Sequence, residues 1–388
     1  MSPTPESPAD VGLLSPVSAG TRAEQLTSDS AVLAAMQAFE TELSGAVAEH
    51  VDAHALAFDP GPVDVRTVAL EAVGPGNPTL PLLAAMRRGL TDDDARWVHH
   101  GATSQDVVDT ALMLVATDVL THVEVQLVVV ADRLARLAAD HRDLPCVART
   151  LTQHALPTTL GFRVAGWLTG VHDALGLVRD CRPLPVSLGG AVGTTAVLGA
   201  AGPAVVDSLA RRLGLSAPVV SWHTRRVPVL VLATALAAVG EACGRICADL
   251  LLMAQTEVGE ASDGSRGASS AMAHKANPTR SVLVAAAARQ LPPLLGSVAS
   301  SGAGASERPA GDWHAEWQPL RTMLRLAGAA VERTCDVVSD ATFHEAVTAR
   351  NLDLLVAAAG EGPGWVEEQT AHVGAWVDRV LARHEELR

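Results

Sequence analysis

The sequence predicts an all-α protein built as a bundle of long helices. Of its 388 residues, 48% are hydrophobic but only 3% are aromatic, and tyrosine is absent. Alanine, leucine and valine dominate, and these residues favour helices that pack on other helices. Apolar residues recur at helical spacing over several long segments, with neither a longer internal repeat nor a sustained heptad. A solenoid and a simple coiled coil are therefore excluded.

Residues 1–100 predict an N-terminal helical domain. Its first segment, residues 1–12, is polar and proline-rich, so we expect it to be disordered and not a signal peptide. From Asp29 onwards, apolar residues at three- and four-residue spacing predict a long amphipathic helix. Five prolines interrupt residues 58–91 and predict short helices and turns there.

Residues 101–340 predict a central domain of long helices. The longest of these carries apolar residues almost all round, as is typical of a helix at the centre of a bundle. Its apolar run ends at Glu241, short of the roughly 20 residues that a membrane span needs, so we expect a helix buried in protein. Residues 341–388 predict a shortened C-terminal segment that ends in one amphipathic helix. The expected helices of the central domain cover about 105–140, 156–181, 203–213, 224–260, 278–295 and 317–339.

Charge and cysteine content restrict the partners and the compartment. The formal net charge of −14 argues against a nucleic-acid partner, and an anionic ligand would need a local group of basic side chains and helix N-termini. Five cysteines without a CxxC motif fit a reducing compartment, so we expect a cytoplasmic protein. Cys243 and Cys247 lie one turn apart in an apolar helix, which favours two buried thiols over a metal site.

A first polar stretch, WVHHGATSQD, interrupts the apolar pattern at residues 97–106. Thr103 or Ser104 can cap the helix that follows, and as plain structure this is a sufficient explanation. The functional alternative is that the amides and hydroxyls of this helix N-terminus hold a carboxylate, with His99 or His100 beside it.

A second polar stretch, RTLTQHALP, covers residues 149–157. Thr152, Gln153 and His154 precede Pro157, which we expect in the first turn of the next helix. A lone histidine is more often structural than catalytic. Three polar residues together against an apolar bundle shift the interpretation towards an acid or base role.

The third stretch, GASSAMAHKANP, covers residues 267–278. It has no glycine directly before Lys275, so it is not a phosphate-binding loop of the nucleotide triphosphate type. Asn277-Pro278 is expected to begin a new helix. The segment is either a flexible linker or a mobile lid that brings hydroxyl, ammonium and amide groups to an anionic substrate.

Together these stretches resemble the fumarase, aspartase and adenylosuccinate lyase superfamily, and most closely the bacterial 3-carboxy-cis,cis-muconate cycloisomerase branch. The similarity runs from about residue 21 to residue 350. Two positions of the loop depart from the usual pattern: Ala273 replaces a proline and Ala276 replaces an arginine. The signature loop GSSxMPxKxNP is matched by Gly267, Ser269, Ser270, Met272, Lys275, Asn277 and Pro278. The other matching motifs, in order, are SDSAVLAAM, GNPTLPLL, WVHHGATSQDVVDTAL, RTLTQHALP, LGGAVGT, WHTRR, LLLMAQTEVGE and DWHAEWQPLR.

The resemblance implies a homotetramer with a 20-helix core and with active sites shared between subunits. It implies Ser269 as the catalytic base and His154 as the acid. It also implies a small dicarboxylate or tricarboxylate substrate. We expect no metal and no organic cofactor, and neither a nucleic acid nor a membrane as a partner. The residues that it places around the substrate are His99, Thr103, Ser104, Thr152, Gln153, Arg226, Ser270, Met272, Lys275 and Asn277.

Three functions stay open on the sequence. The first is a cycloisomerase that converts 3-carboxy-cis,cis-muconate to 4-carboxymuconolactone in the β-ketoadipate route of aromatic degradation. The second is a lyase that eliminates an amine or nitrite from a substituted succinate to give fumarate. The third is an inactive helical scaffold, against which the joint presence of Ser269, His154 and Lys275 argues. In the lyase, a serine base needs the electrostatic field of Lys275 and helix N-termini, because proton abstraction beside a carboxylate builds up negative charge. In the cycloisomerase, Ser269 would instead deliver to carbon the proton that it removes in a lyase.

Overall fold

Fourteen helices and four short strands form the part of the chain that the computed structural model describes, residues 12–51, 63–265, 267, 272 and 275–388. The predicted all-α class is confirmed. The N-terminal helices are α1 (Arg22–Leu26), α2 (Asp29–His50), α3 (Val65–Glu71), α4 (Thr79–Arg87) and α5 (Asp92–Ala95). The central helices are α6 (Ser104–Asp140), α7 (Leu160–Asp180), α8 (Gly202–Leu213), α9 (Val227–Met253), α10 (Thr279–Ser300) and α11 (Asp312–Asp340). The C-terminal helices are α12 (Glu345–Ala359), α13 (Pro363–Thr370) and α14 (Val373–Leu387). The strands are β1 (Pro145–Thr150), β2 (Gln153–Thr159), β3 (Ala261–Ser262) and β4 (Thr342–Phe343).

The core lies between α6, α7, α9, α10 and α11, which pack side by side. α6 buries side chains on almost every side, and Leu120, Leu127 and Leu134 are inaccessible to solvent. α9 starts later and ends earlier than predicted, because Pro228 fits only the first turn and the chain turns at Gly259 with a positive φ of 63°. α9 packs on α7, α10 and α11 as expected of a central helix, but Leu230 and Val231 are 38% and 46% exposed, so one subunit does not bury it on all sides.

The expected helix start at Pro157 is wrong, because residues 145–159 form a two-stranded antiparallel hairpin. Pro157 lies in β2 opposite Val147, and α7 begins only at Leu160, where Thr159 caps it. A proline is tolerated in a two-stranded ribbon, where both strands are edges. The β-branched Thr158 and Thr159 also favour extended backbone. Thr152, Gln153 and His154 are therefore carried by a hairpin, not by a helix start.

The C-terminal segment contains three helices, where the sequence predicted about one. α12 ends at Gly360, whose φ of 73° is the left-handed conformation that closes helices, and α13 restarts with a proline in its first turn. α12 and α13 pack on the β1–β2 hairpin, and α14 packs on α7. α6 begins at residue 104 and α11 ends at residue 340. The domain division 1–100, 101–340 and 341–388 stays a prediction.

Three helices, α6, α9 and α10, are long and apolar enough to cross a membrane by length and composition. The length argument made on the sequence is therefore insufficient. Their most apolar windows are 44%, 50% and 28% buried within the subunit, respectively. α10 has the smallest buried share of the three, and its exposed residues include Val282, Pro292 and Pro293 beside the polar Arg289 and Gln290.

Candidate active site

The start of α6 is fixed by one buried carboxylate. Thr103 is the N-cap, and the Asp106 side chain accepts its backbone N–H at 3.0 Å to complete a capping box. The same carboxylate holds a glycine-rich loop against the helix start. Its further donors are Ser187 Oγ at 3.1 Å, Gly189 N at 2.8 Å, Gly190 N at 2.9 Å and His223 Nε2 at 2.6 Å.

The glycine-rich loop approaches the helix start too closely for a side chain. Gly190 has a φ of 70°, and a Cβ at this position would lie 2.8 Å from the carbonyl oxygen of Gly101. Only glycine combines this backbone conformation with this close approach. The loop and the N-terminus of α6 therefore form one pre-organised wall.

Arg308 completes this wall from the segment between α10 and α11. Its guanidinium donates to Thr103 Oγ at 3.0 Å and to the carbonyl of Ala191 at 3.0 Å. Ser104, the first residue of α6, is half-buried beside it. A guanidinium on a helix N-terminus is a site for an anion, because the exposed amides and the helix dipole also favour negative charge. The sequence supports this site through Thr103 and Ser104, but it did not identify Arg308.

Beside the wall lies a cavity of about 310 Å³. Four basic side chains line it together with backbone of 101–102 and 190–192, and none of the described lining residues is acidic. His99, predicted near this helix start, hydrogen-bonds through Nδ1 to Glu40 at 2.6 Å. Burial lowers the pKa of the neighbouring His100. The basic lining residues are Arg87, Arg96, His99 and His100.

The predicted acid lies elsewhere in the subunit. Thr152, Gln153 and His154 are exposed at the tip of the hairpin, where Thr152 has a φ of 66°. His154 pairs with Arg149 in the β1–β2 register. Over the described part of the chain, no hydrogen bond or ion pair joins His154 to the α6 wall. One subunit therefore does not bring these predicted residues together.

The signature loop is anchored at both ends. Gly267 and Asn277 exchange two backbone hydrogen bonds of 3.1 Å, and the Asn277 side-chain amide donates to Gly267 O at 3.3 Å. Asn277 thus closes the base of the loop, and Lys275 is exposed between the anchors. The side chain of Met272 is 43% exposed. Ser269 and Ser270 lie outside the described residues.

Asp263 stabilises the anchored ends of the signature loop. Its buried carboxylate accepts hydrogen bonds from the backbone N–H and the hydroxyl of Ser281, in the first turn of α10, at 3.0 and 2.9 Å. It also accepts the hydroxyl of Ser265 at 2.6 Å, and Ser265 Oγ reaches Asn277 O. The predicted start of a helix after Asn277-Pro278 is confirmed, with α10 beginning at Thr279.

The expected role of Arg226 at the substrate is corrected by the structure. Its guanidinium is buried and donates five hydrogen bonds to the carboxylates of Asp109 and Glu316, and a sixth contact reaches Trp222 O at 3.5 Å. Burial by itself would lower the pKa of Arg226, but the two carboxylates raise it above its ordinary value. Arg226 therefore forms a buried ion pair with these carboxylates. Its N–H donors are all used within the subunit, so it has no donor left for a substrate.

Comparison with known proteins identifies the family. A family model described as "Lyase" matches residues 73–292. A nitrosuccinate lyase from Streptomyces davaonensis is 38% identical over 376 residues, which cover 91% of this chain and 79% of the relative. The chain belongs to the fumarase/aspartase lyase superfamily. It is also similar to a 3-carboxy-cis,cis-muconate cycloisomerase from Pseudomonas putida, 36% identical over 299 residues that cover 75% of this chain and 71% of the relative.

The fold of this lyase-superfamily member matches a solved structure over nearly its full length. The 3-carboxy-cis,cis-muconate lactonizing enzyme from Pseudomonas putida superimposes with a TM-score of 0.84 at 28% identity, covering 94% of this chain and 97% of that one. The relatives thus carry two different activities by name. Among the described residues, no group of three or more His, Cys, Asp or Glu side chains is placed to hold a metal ion.

Proposed function

We propose that the protein removes a proton beside a carboxylate and expels a leaving group from a 2-substituted succinate, giving fumarate. The observation that carries this proposal is Arg308 on Thr103 at the N-terminus of α6. In a chain with a net charge of −14, this arginine and the basic cavity beside it form a local site for carboxylates.

The reaction balances without a further reactant. Ser269, the base implied by the resemblance, takes a proton from the carbon next to one carboxylate, and the resulting electron pair forms the C=C bond. The bond from the neighbouring carbon to the leaving group breaks, and the group departs with its electron pair. The charge that develops on the carboxylate is stabilised by basic groups and helix amides around it. Lys275 and Arg308 are the cations that we assign to this role.

Nitrite is the leaving group that we favour. The similarity to nitrosuccinate lyase spans more of this chain and of the relative than the similarity to the cycloisomerase does. Ala276 also replaces the usual loop arginine. A loop with one cation fewer suits a dicarboxylate better than a tricarboxylate such as 3-carboxymuconate. This order reverses the expectation from the sequence, which put the cycloisomerase first.

The cycloisomerase is the second candidate. It is favoured by the match to the Pseudomonas putida lactonizing enzyme, which extends over 97% of that chain. In that reaction a carboxylate of the substrate adds across a C=C bond, and an acid protonates carbon. Both reactions use proton transfer at carbon beside a carboxylate, so one arrangement of groups serves either.

We also propose that the site is completed by a second copy of this chain in a homotetramer. Among the described residues no hydrogen bond or ion pair joins His154 to the α6 wall of its own subunit, and only 28% of the most apolar window of α10 is buried within the subunit. Size measurement in solution tests this part. A protein that stays monomeric at micromolar concentration contradicts it.

One assay separates the candidate functions. Purified protein is incubated in parallel with 2-nitrosuccinate, aspartate and 3-carboxy-cis,cis-muconate, while fumarate, nitrite and lactone are followed. We expect fumarate and nitrite in equal amounts from nitrosuccinate, and no lactone. Lactone without fumarate would establish the second candidate, and turnover of none of the three would contradict both nitrite elimination and lactone formation.

The base is tested with a serine pair. Ser269→Ala should abolish turnover, with a loss on the order of 10³-fold or more, because no other group holds the transferred proton. Ser339→Ala, at an exposed position near the end of α11, is the matched control and should turn over as wild type. Comparable rates for the two variants would exclude Ser269 as the base.

A further inference from the structure

Glu40 is a carboxylate buried in the middle of α2. Its side chain has no solvent exposure, and Oε1 accepts a hydrogen bond of 2.6 Å from Nδ1 of His99. The second oxygen, Oε2, is buried and has no hydrogen-bond partner among the described residues. An unpartnered oxygen on a buried carboxylate costs stability, and packing of α2 would be served better by an apolar residue. Glu40 therefore has a role other than packing.

The backbone of His99 is strained. Its φ of 68° lies in the left-handed region, which residues with a Cβ rarely adopt outside turns. Such conformations cost roughly 1–3 kcal/mol and are concentrated at active sites and ligand clamps. In this conformation the imidazole bonds Glu40, and His99 is also a lining residue of the cavity.

The contact with Glu40 determines which ring nitrogen faces the cavity. A carboxylate accepts, so Nδ1 carries the proton, and Nε2 is the nitrogen left over. No described residue hydrogen-bonds Nε2. Around it the cavity presents Arg87, Arg96 and His100, and none of its described lining residues is acidic. When the ring is protonated, Nε2–H is a donor whose charge Glu40 balances, which suits a carboxylate as the ligand.

We infer that Glu40 is a positioning residue that aims Nε2–H of the doubly protonated His99 ring at a carboxylate of the bound substrate. The inference depends on the proposed function only for the ligand class, a dicarboxylate. The arrangement follows the general logic of a buried carboxylate behind a functional histidine, which fixes the tautomer and the direction of the ring. It gives His99 a defined donor atom and makes Glu40 part of the substrate site without contact to substrate.

Succinate is the probe for the test, and its binding is measured by titration calorimetry. Glu40→Gln keeps the side-chain size and removes the charge, and it should weaken succinate binding about tenfold or more. His99→Asn should weaken binding by a similar factor. The double variant should bind no more weakly than His99→Asn, because both changes remove one interaction. Glu42→Gln, on the same helix but in an ion pair with Arg212, is the matched control and should bind as wild type.

A spectroscopic readout separates positioning from a loss of fold. Nitrogen NMR of labelled histidine should show His99 protonated at Nδ1 in wild type and in Glu42→Gln, with the signal assigned by its loss in His99→Asn. In Glu40→Ala the ring should exchange between both tautomers. An unchanged tautomer in Glu40→Ala, or succinate affinity in Glu40→Gln equal to wild type, would overturn the inference.

The remaining outcomes are also decisive. Wild type that binds no succinate at tens of millimolar would show that the cavity does not take dicarboxylates. Turnover of a substituted succinate with the same kcat/KM in wild type and Glu40→Gln would remove the role of Glu40 while the proposed function stands.

Discussion

Arg149 donates two hydrogen bonds to Glu260, of 2.9 and 2.6 Å, and so joins the hairpin that carries His154 to the segment that leads into the signature loop. Asn351 of α12 donates to the same carboxylate at 2.8 Å. Glu260 is fully buried and Arg149 nearly so. Three separate parts of the chain therefore meet at one carboxylate, which sets their relative positions.

The buried hydrogen bonds of Glu260 predict that the stability of the fold depends on pH. Burial alone would raise the pKa of Glu260, but the hydrogen bonds from Arg149 and Asn351 outweigh burial and lower it. A lowered pKa in the folded state means that the contribution to stability is complete above the ordinary value of 4.5 and is lost as the pH falls through the folded value. Glu260→Gln should lower the free energy of unfolding at pH 7 by about 3 kcal/mol and flatten its acid dependence.

Thermal unfolding at pH 7 and in the acid range checks this. Asp378→Asn, which removes a surface partner of Arg142, is the control and should leave Tm nearly unchanged at pH 7. A Glu260→Gln protein with wild-type Tm at pH 7 would contradict the assignment.

The core ion pair of Arg226 predicts a loss of stability and not of substrate affinity. Arg226→Met leaves Asp109 and Glu316 buried without their cation, and such a loss costs roughly 3–5 kcal/mol. Burial already raises the pKa of Glu316. Denaturant unfolding measures the effect. If Arg226→Met has wild-type stability and a raised KM, Arg226 binds substrate and the assignment to the core is wrong.

For Arg308 we expect a loss of substrate affinity without a loss of stability. Arg308→Lys keeps the charge but cannot bond Thr103 and Ala191 at once, so we expect KM for a dicarboxylate substrate to rise about 10- to 100-fold with little change in Tm. Steady-state kinetics on the substrate that proves active provides the measurement. Arg379→Ala, an exposed arginine of α14, is the control. Equal KM values for the two variants would show that Arg308 has no part in binding.

A buried histidine pair between α7 and α14 predicts a second pH effect. His172 contacts His384 at 3.1 Å, and His384 lies 3.1 Å from Asp132. Burial, then the charges of His384 and Arg383, lower the pKa of His172 from 6.5 to about 4, while Asp173 opposes this shift. The neutral ring is thus favoured in the folded state.

The corresponding stability is present above pH 6.5 and is lost as the pH falls towards 4. It amounts to at most about 3 kcal/mol. His172→Gln cannot titrate, so the difference in unfolding free energy between pH 7.5 and 5 should be smaller in this variant than in wild type. An identical difference in both proteins would show that His172 does not drive the effect.

The sequence predicted what depends on local pattern. Apolar spacing located the central helices, but the start of α7, both ends of α9, the end of α10 and the start of α11 differ from the predicted bounds by three to seven residues. The start of α7 was missed because Pro157 suits a first helical turn as well as an edge strand, and only the pairing with β1 decides between them. The capping residues of α6 were identifiable because Thr103 and Asp106 are three residues apart.

What the sequence did not predict depends on partners distant in the chain. The resemblance assigned Arg226 to the substrate, and the sequence could not correct this, because its acidic partners lie 117 and 90 residues away and no spacing rule connects them. Arg308 lies in an irregular segment without periodicity, so nothing local distinguished it from a surface arginine. Glu40 was hidden in the apolar pattern of α2, and only the fold brings it to His99.

The bridge between Gly267 and Asn277 has a consequence for how such an enzyme diversifies. The anchor consists of backbone atoms and one amide side chain, so it does not depend on the identity of the residues at 268–276. Exchanges such as those at Ala273 and Ala276 therefore alter reactivity without disturbing the scaffold that holds the segment. A change of substrate by substitutions within this segment therefore leaves the two anchoring residues and their hydrogen bonds in place.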